Sequence, residues 1–282
     1  MKPYKYDISI CSAEPLLQAA SGFTPFVSSN PDKRTNPAAV LPMVQSIVAI
    51  AVPHDATVPP QNEAIEIAEL STLGANPDYH PRVKSHLKSL AARLQQTIQQ
   101  PFAYKMLVDS PTLDERAFAH RAGLGFFGKH GLLISPKFGT RFNIGLMLTD
   151  IPLSELETII PPAQKDNAAC PPSCNRCIAA CPNGALTPGK PLNVHKCISY
   201  LTQKKELTAE EELLLHNQLY GCDICQNACP FNEPRPKTYI NPHDWLNMTD
   251  CDFKEKYGHT SMLWQGAEIL RRNAKIVCDN KR

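Results

Sequence analysis

Hydrophobic positions in the first half of the chain follow two alternating repeats. Ser46 to Val52 is a short continuous apolar run rich in β-branched residues and closed by Pro53, which predicts a buried strand. Between Pro81 and Gln99, the residues Val83, Leu87, Leu90, Leu94 and Ile98 recur every three or four positions. That is the repeat of one helical face, and Pro81 suits its first turn. Tyr104 to Val108 predicts another strand, ended by Asp109-Ser-Pro. Thr112-Leu-Asp-Glu115 then has the form of a capping box and predicts a helix from there to Gly123, so Asp109 falls at a strand-to-helix corner. Leu132 to Ser135 and Phe142 to Thr149 predict two further strands. Residues 160–168, with two prolines among polar residues, interrupt every repeat and suit a linker. Beyond it, Thr208-Ala-Glu-Glu211 is a second capping box, predicting a helix towards Tyr220, and Met262 to Val277 predicts a last helix.

Composition limits what such a chain does. Its 282 residues are enough for roughly two domains, each with a real core. A formal charge of +2 leaves the class of partner open. The longest apolar run, Ile47 to Val52, is far short of the roughly 20 residues that span a bilayer, and no apolar signal core follows Met1. The reading is a cytoplasmic protein without membrane contact. In that reducing compartment, 11 cysteines point to metal rather than to disulfides.

Cys11 is the only cysteine before residue 170, so the chain is chemically two halves. Cys174-Asn-Arg-Cys177-Ile-Ala-Ala-Cys181-Pro182 and Cys222-Asp-Ile-Cys225-Gln-Asn-Ala-Cys229-Pro230 share the pattern C-x-x-C-x-x-x-C-P, with Cys170 and Cys197 as upstream outliers. In ferredoxins of this pattern the cysteine before proline crosses to the other cluster. By that rule one [4Fe-4S] cluster takes Cys170, Cys174, Cys177 and Cys229, and a second takes Cys197, Cys222, Cys225 and Cys181. A pair of zinc sites is the competing reading, but zinc ribbons have no need of a third cysteine followed by proline. Two departures from the ferredoxin spacing stand out. Three residues separate Cys170 from Cys174 where the pattern has two, and Cys197 stands 25 residues before Cys222, with the Thr208 helix inserted between them. Cys11, Cys251 and Cys278 read as ordinary thiols.

Several further stretches stand out: Val108-Asp-Ser-Pro-Thr-Leu-Asp-Glu-Arg-Ala-Phe-Ala-His-Arg-Ala-Gly-Leu-Gly-Phe-Phe-Gly-Lys129, Leu148-Thr-Asp-Ile-Pro-Leu153, Asp78-Tyr-His80, Cys197-Ile-Ser-Tyr-Leu201, Tyr220-Gly-Cys-Asp-Ile-Cys225 and Arg272-Asn273. Together they resemble the epoxyqueuosine reductases. The likeness runs through most of the chain from about residue 40. It implies an α+β protein with a mixed α/β cobalamin-binding catalytic domain at 1–160, a ferredoxin-like double-cluster domain at 161–236 and a helical tail at 237–282. It also implies a cobalamin-dependent oxidoreductase, related to reductive dehalogenases, that removes the epoxide oxygen of epoxyqueuosine in tRNA. An external low-potential donor would supply electrons through the clusters to cobalt. Asp109 falls on the family's acid, whose carboxyl would stay protonated against an apolar corrin.

For the cofactor, the resemblance points to Asp78, Tyr79 and His80, and to the glycine-rich turn with Gly125, Gly128 and Lys129. Val83 stands where a cobalt-ligating histidine motif needs glycine, so the expected cobalamin is base-off with no histidine ligand. Around the expected pocket, His130 replaces a usual Asn, Arg141 a usual Trp and Leu146 a frequent Glu. Typical members continue past the Arg-Asn motif into a helical-repeat domain, whereas this sequence stops at Arg282, which suggests a short form. Arg271, Arg272, Lys275, Lys281 and Arg282 make the tail a candidate tRNA surface. Two alternatives remain beside the queuosine reading. One is a paralogous corrinoid reductase acting on a small molecule, and the other is an electron-transfer or corrinoid-handling protein without its own substrate.

Overall fold

The computed structural model describes residues 6–18, 25–54, 68–163, 168–233 and 235–280. Its strands are β1 Asp7–Ser12, β2 Ser46–Pro53, β3 Ala68–Leu70, β4 Tyr104–Leu107, β5 Phe126–Phe127, β6 Leu133–Ile134, β7 Phe142–Thr149, β8 Gln218–Tyr220 and β9 Thr238–Ile240. The helices of the first half are α1 Pro31–Thr35, α2 Thr72–Ala75, α3 Tyr79–Ile98, α4 Glu115–Arg121 and α5 Leu153–Ile159. Those of the second half are α6 Arg176–Ala180, α7 Ile198–Leu201, α8 Ala209–Leu213, α9 Ile224–Asn227, α10 His243–Leu246, α11 Asp250–Tyr257 and α12 Gly266–Asp279. The class is α+β, as the sequence implies. Among the described residues no helix is long and apolar enough to cross a membrane.

Two compact units divide the chain. One holds the described residues of Met1–His54 and His80–Cys174, the other those of Asp55–Tyr79 and Asn175–Arg282. The sequence reading divides instead at 160 and 236. In the structure, residues 237–280 share a unit with most of the cysteine-rich segment because α12 supplies much of that unit's core. The linker reading falls partly on residues 164–167, which lie outside the described residues.

The first unit is built on an antiparallel sheet of order β1-β2-β7-β4. Strand β2 reads as a continuous apolar run because both of its faces are covered. Ile47, Ala49 and Ala51 join Phe118, Ala119 and Ala122 of the α4 segment in one core, while Ile50 lies towards Val83 and Leu87 of α3. Helix α3 turns Val83, Leu87, Leu90, Ala91 and Leu94 inward, the face its periodicity predicts. Gly145 on β7 permits that approach, since a Cβ there would stand 2.7 Å from Val83 Cγ1 and 3.1 Å from Leu87 Cδ1. Leu146 is fully buried in the sheet core.

Three predicted helices begin, end or break elsewhere. Thr112 and Glu115 do not form a capping box: Asp114 caps α4 by accepting from Ala117 N, and Glu115 turns back towards Asp109 and Ser110. Asp114 also pairs with Arg34 at 3.1 Å, an ion pair with both side chains buried. The second capping box is present at Thr208 and Glu211, but its helix α8 stops at Leu213. His216, at φ +52, then turns the chain into β8. The last predicted helix is split into a short 3-10 turn at Ser261–Trp264 and α12, broken by Gly266 at φ +75. The strand predicted over Leu132 to Ser135 is the short β6.

The second unit packs α12 under the sheet β8-β3-β9, around Trp245, Leu270, Ala274 and Val277. Within it Asn273 is fully buried. Its carboxamide donates to Thr202 O at 2.8 Å and Leu219 O at 2.9 Å, while its oxygen accepts from Arg272. Arg272 also donates to Lys204 O and Lys205 O, and Arg271 donates to Met248 O and Asp250. Two cations of the supposed basic tail therefore point into the fold. Lys275 is exposed, and Lys281 and Arg282 lie outside the described residues. Asn273→Leu keeps the branching at Cγ but strands two carbonyls, which costs about 3 kcal/mol. Thermal unfolding should show a lower midpoint for this variant, and an unchanged midpoint would remove the bridge's structural role.

Candidate functional site

The two cysteine motifs have the same local form. Helix α6 carries Cys177 between Cys174 and Cys181, α9 carries Cys225 between Cys222 and Cys229, and the two helices pack together. All eight thiols are unpaired by disulfides. Cys181, Cys197, Cys222 and Cys225 lie in one unit and close enough to influence each other's ionisation. Burial, followed by the charges of neighbouring groups including Cys197 and Cys181, pushes the Cys222 thiol up to about 12. Burial likewise raises Cys225 and Cys197. Thiols so placed stay protonated unless a bound metal holds them as thiolates. Cys181 Sγ also accepts from Ala185 N at 3.4 Å. Among the described residues, no three His, Cys, Asp or Glu side chains are arranged to hold a single metal ion.

Cys197 reaches this group across its long insertion through hydrogen bonds. Thr202, just past α7, accepts from Gly221 N through its hydroxyl at 2.9 Å, next to Cys222. Cys222→Ala should lower acid-labile iron from about eight to about four atoms per chain, measured together with the electron paramagnetic resonance of the reduced protein. Retention of full iron would remove Cys222 from the ligand set.

Lys129 has an evident partner. Its ammonium donates to Pro172 O and Cys174 O, both at 2.8 Å, and to Pro171 O at 3.2 Å, fastening the loop that runs from Cys170 to Cys174. The nearby glycines serve close packing within the fold. A Cβ on Gly125 would stand 2.2 Å from Ile134 O, and one on Gly128 would stand 2.5 Å from His130 Cε1. This glycine turn therefore closes the β5–β6 hairpin.

Asp109 occupies the left-handed region at φ +52, which costs a residue with a Cβ about 1 kcal/mol. Its side chain is 72% exposed, with His80 Nε2 at 3.9 Å from Oδ2. His80 lies in the first turn of α3, which begins at Tyr79, whereas Asp78 N donates to His259 O in the other unit's fold. The structure thus brings His80 to Asp109 and gives Asp78 a backbone role.

Glu115 is the residue that the sequence reading misplaces. Its carboxylate accepts from Asp109 N at 2.9 Å and from Ser110 N at 2.8 Å. Burial, aided by the negative charges of Asp109 and Asp114, pushes its pKa up to about 8 although both amides oppose the shift. The folded protein thus holds this proton more tightly than the unfolded chain does. The resulting stability is fully present below 4.5 and is lost as pH rises through about 8. Midpoints measured from pH 5 to 9 should fall more steeply in the wild type than in Glu115→Gln, and parallel slopes would contradict the shift.

His130 Nε2 and Asn143 Nδ2 are buried without a hydrogen-bond partner among the described residues. His130 Nδ1 accepts from Leu132 N, so the neutral ring carries its proton on Nε2, which is unsatisfied. Burial lowers the pKa of His130 to about 4. Asn143 Nδ2, on β7, is the other such donor. Buried donors of this kind suit a ligand carrying amide carbonyls.

The paired motifs and the sheet domain together define a double-cluster iron–sulfur oxidoreductase. Residues 170–232 match the family model of a 4Fe-4S double cluster binding domain, and residues 34–110 match that of epoxyqueuosine reductase QueG, DUF1730. An epoxyqueuosine reductase of Bacillus cereus is 36% identical over 266 residues, covering 87% of this chain and 67% of its own. The structure of epoxyqueuosine reductase from Streptococcus thermophilus superposes with a TM-score of 0.83 at 29% identity, covering 98% of this chain and 77% of that one. An epoxyqueuosine reductase bound to an epoxyqueuosine-modified tyrosine tRNA stem loop gives 0.82, also at 29% identity, over 97% and 77%. The chain belongs to the epoxyqueuosine reductase family.

Proposed function

We propose that this protein reduces epoxyqueuosine in tRNA to queuosine in the cytoplasm, with electrons from an external low-potential donor entering through its two [4Fe-4S] clusters. The observation that carries the reading is Asp109, a solvent-facing carboxyl held in a strained conformation beside His80 in a chain of this family. Cysteines 170, 174, 177 and 229 hold one cluster, and 197, 222, 225 and 181 the other.

Cobalamin is the remaining group that the reading requires. The unsatisfied donors of His130 and Asn143 fit the carboxamide carbonyls that rim a corrin. When bound, a corrinoid supplies a low-valent cobalt able to attack the epoxide carbon. The chain's own residues do the rest. Asp109 carries the proton for the oxygen released as the carbon–oxygen bond breaks, and His80, within 3.9 Å, orients that carboxyl. Lys129 holds the Cys170–Cys174 loop in place for its cluster.

Anaerobic incubation with cobalamin, a low-potential reductant and tRNA carrying epoxyqueuosine should yield queuosine by mass spectrometry of nucleosides. Asp109→Asn should slow conversion at least about 100-fold while both cluster signals persist. No conversion by wild-type protein with both clusters and cobalamin verified would sink the assignment in favour of a small-molecule substrate. Undiminished conversion by the variant would remove Asp109 as the acid.

A further inference from the structure

We infer that Glu115 is the positioning residue of the acid, a latch whose carboxylate takes the Asp109 and Ser110 amides together and so fixes the loop that presents the Asp109 side chain. The inference deepens the reading above and rests on it for the role of Asp109. Three observations carry it.

The first is geometric. One carboxylate receives two successive backbone N–H groups, Oε2 from Asp109 at 2.9 Å and Oε1 from Ser110 at 2.8 Å. A bidentate acceptor of this kind fixes the orientation of the peptide between the two residues, where a single bond would leave it free to rotate. That peptide follows the left-handed Asp109 at φ +52. The conformation thus has an identifiable partner opposing its relaxation.

The second is that Glu115 has no competing task. It is the first residue of α4, yet the helix is capped by Asp114, which accepts from Ala117 N and pairs with Arg34. Arg116, its neighbour, donates to Gly131 O. Among the described residues the Glu115 carboxylate accepts only from the two loop amides, with no cation in salt-bridge contact.

The third is that the placement is electrostatically unfavourable. Asp109 and Asp114 both repel a charge on Glu115, and burial adds to the penalty. An apolar residue at this position would avoid both costs. Once ionised, the carboxylate supplies two acceptors at once, which an apolar residue cannot, and this marks a local conflict kept for position.

Glutamine tests the latch at pH 9, where the Glu115 carboxyl is ionised and offers two acceptors, because it keeps the shape but offers one acceptor and one donor, so one amide must face an N–H group. In the wild-type holoenzyme the amides of Asp109 and Ser110 should be protected from hydrogen exchange although the loop is at the surface. In Glu115→Gln both should exchange at least about tenfold faster while the amides of β7 keep their protection, because the opening is local. With epoxyqueuosine tRNA, kcat should fall at least about tenfold at unchanged KM, as expected when a reacting group is misplaced but binding is not. Fast exchange at both amides in the wild type would overturn the latch without any variant being needed. Unchanged exchange in Glu115→Gln would overturn it as well. Protection that is lost as described, in a protein whose wild type never yields queuosine, would support the latch and sink the substrate assignment instead.

Discussion

A single buried carboxamide ties together the two segments that carry Cys197 and Cys222. Cys197 and Cys222 are separated by an insertion that carries α8, and nothing in the local motif holds them together. Asn273 supplies the tie from a distant helix, bonding the carbonyl of Thr202 after one cysteine and that of Leu219 before the other. Thr202 completes the bridge through Gly221. Because Asn273 sits among Leu270, Ala274 and Val277, the helix that forms the core also joins the two cysteine segments. The Arg272-Asn273 dipeptide thus has a structural role, with Arg272 steadying the amide and the following loop.

What the sequence discloses follows the strength of the local signal. Strands β2 and β7 and helix α3 are legible because burial on one or both faces imposes a long pattern. Strand β1 and helix α5 are short and carry too few periods to be recognised, although β1 places Ser9 fully buried against Ala122 O. The cysteine motifs are legible because their chemistry fixes the spacing. The capping pattern at Thr112 misleads for a physical reason: the residue types suit a helix start, but Glu115 bonds backwards to the loop and Asp114 takes the cap. Nothing in spacing alone separates those two outcomes.

The glycine turn carries a similar lesson. Glycines in a sequence announce that something approaches closely without saying what does. At Gly125 it is the carbonyl of Ile134 and at Gly128 the ring of His130, both parts of the same hairpin. The more informative signals for a ligand are the donors left unsatisfied at His130 and Asn143, and only three-dimensional structure reveals them.

Lys129 holds the Cys170–Cys174 loop entirely through main-chain oxygens. Such a fastening does not depend on which side chains the loop bears, so evolution can rewrite the residues between the two cysteines while the lysine stays fixed. An ammonium can aim three donors in three directions, whereas a planar guanidinium directs its donors within one plane. The selective burden therefore falls on one residue outside the cysteine motif, and an extra residue between Cys170 and Cys174 becomes a tolerable drift in length.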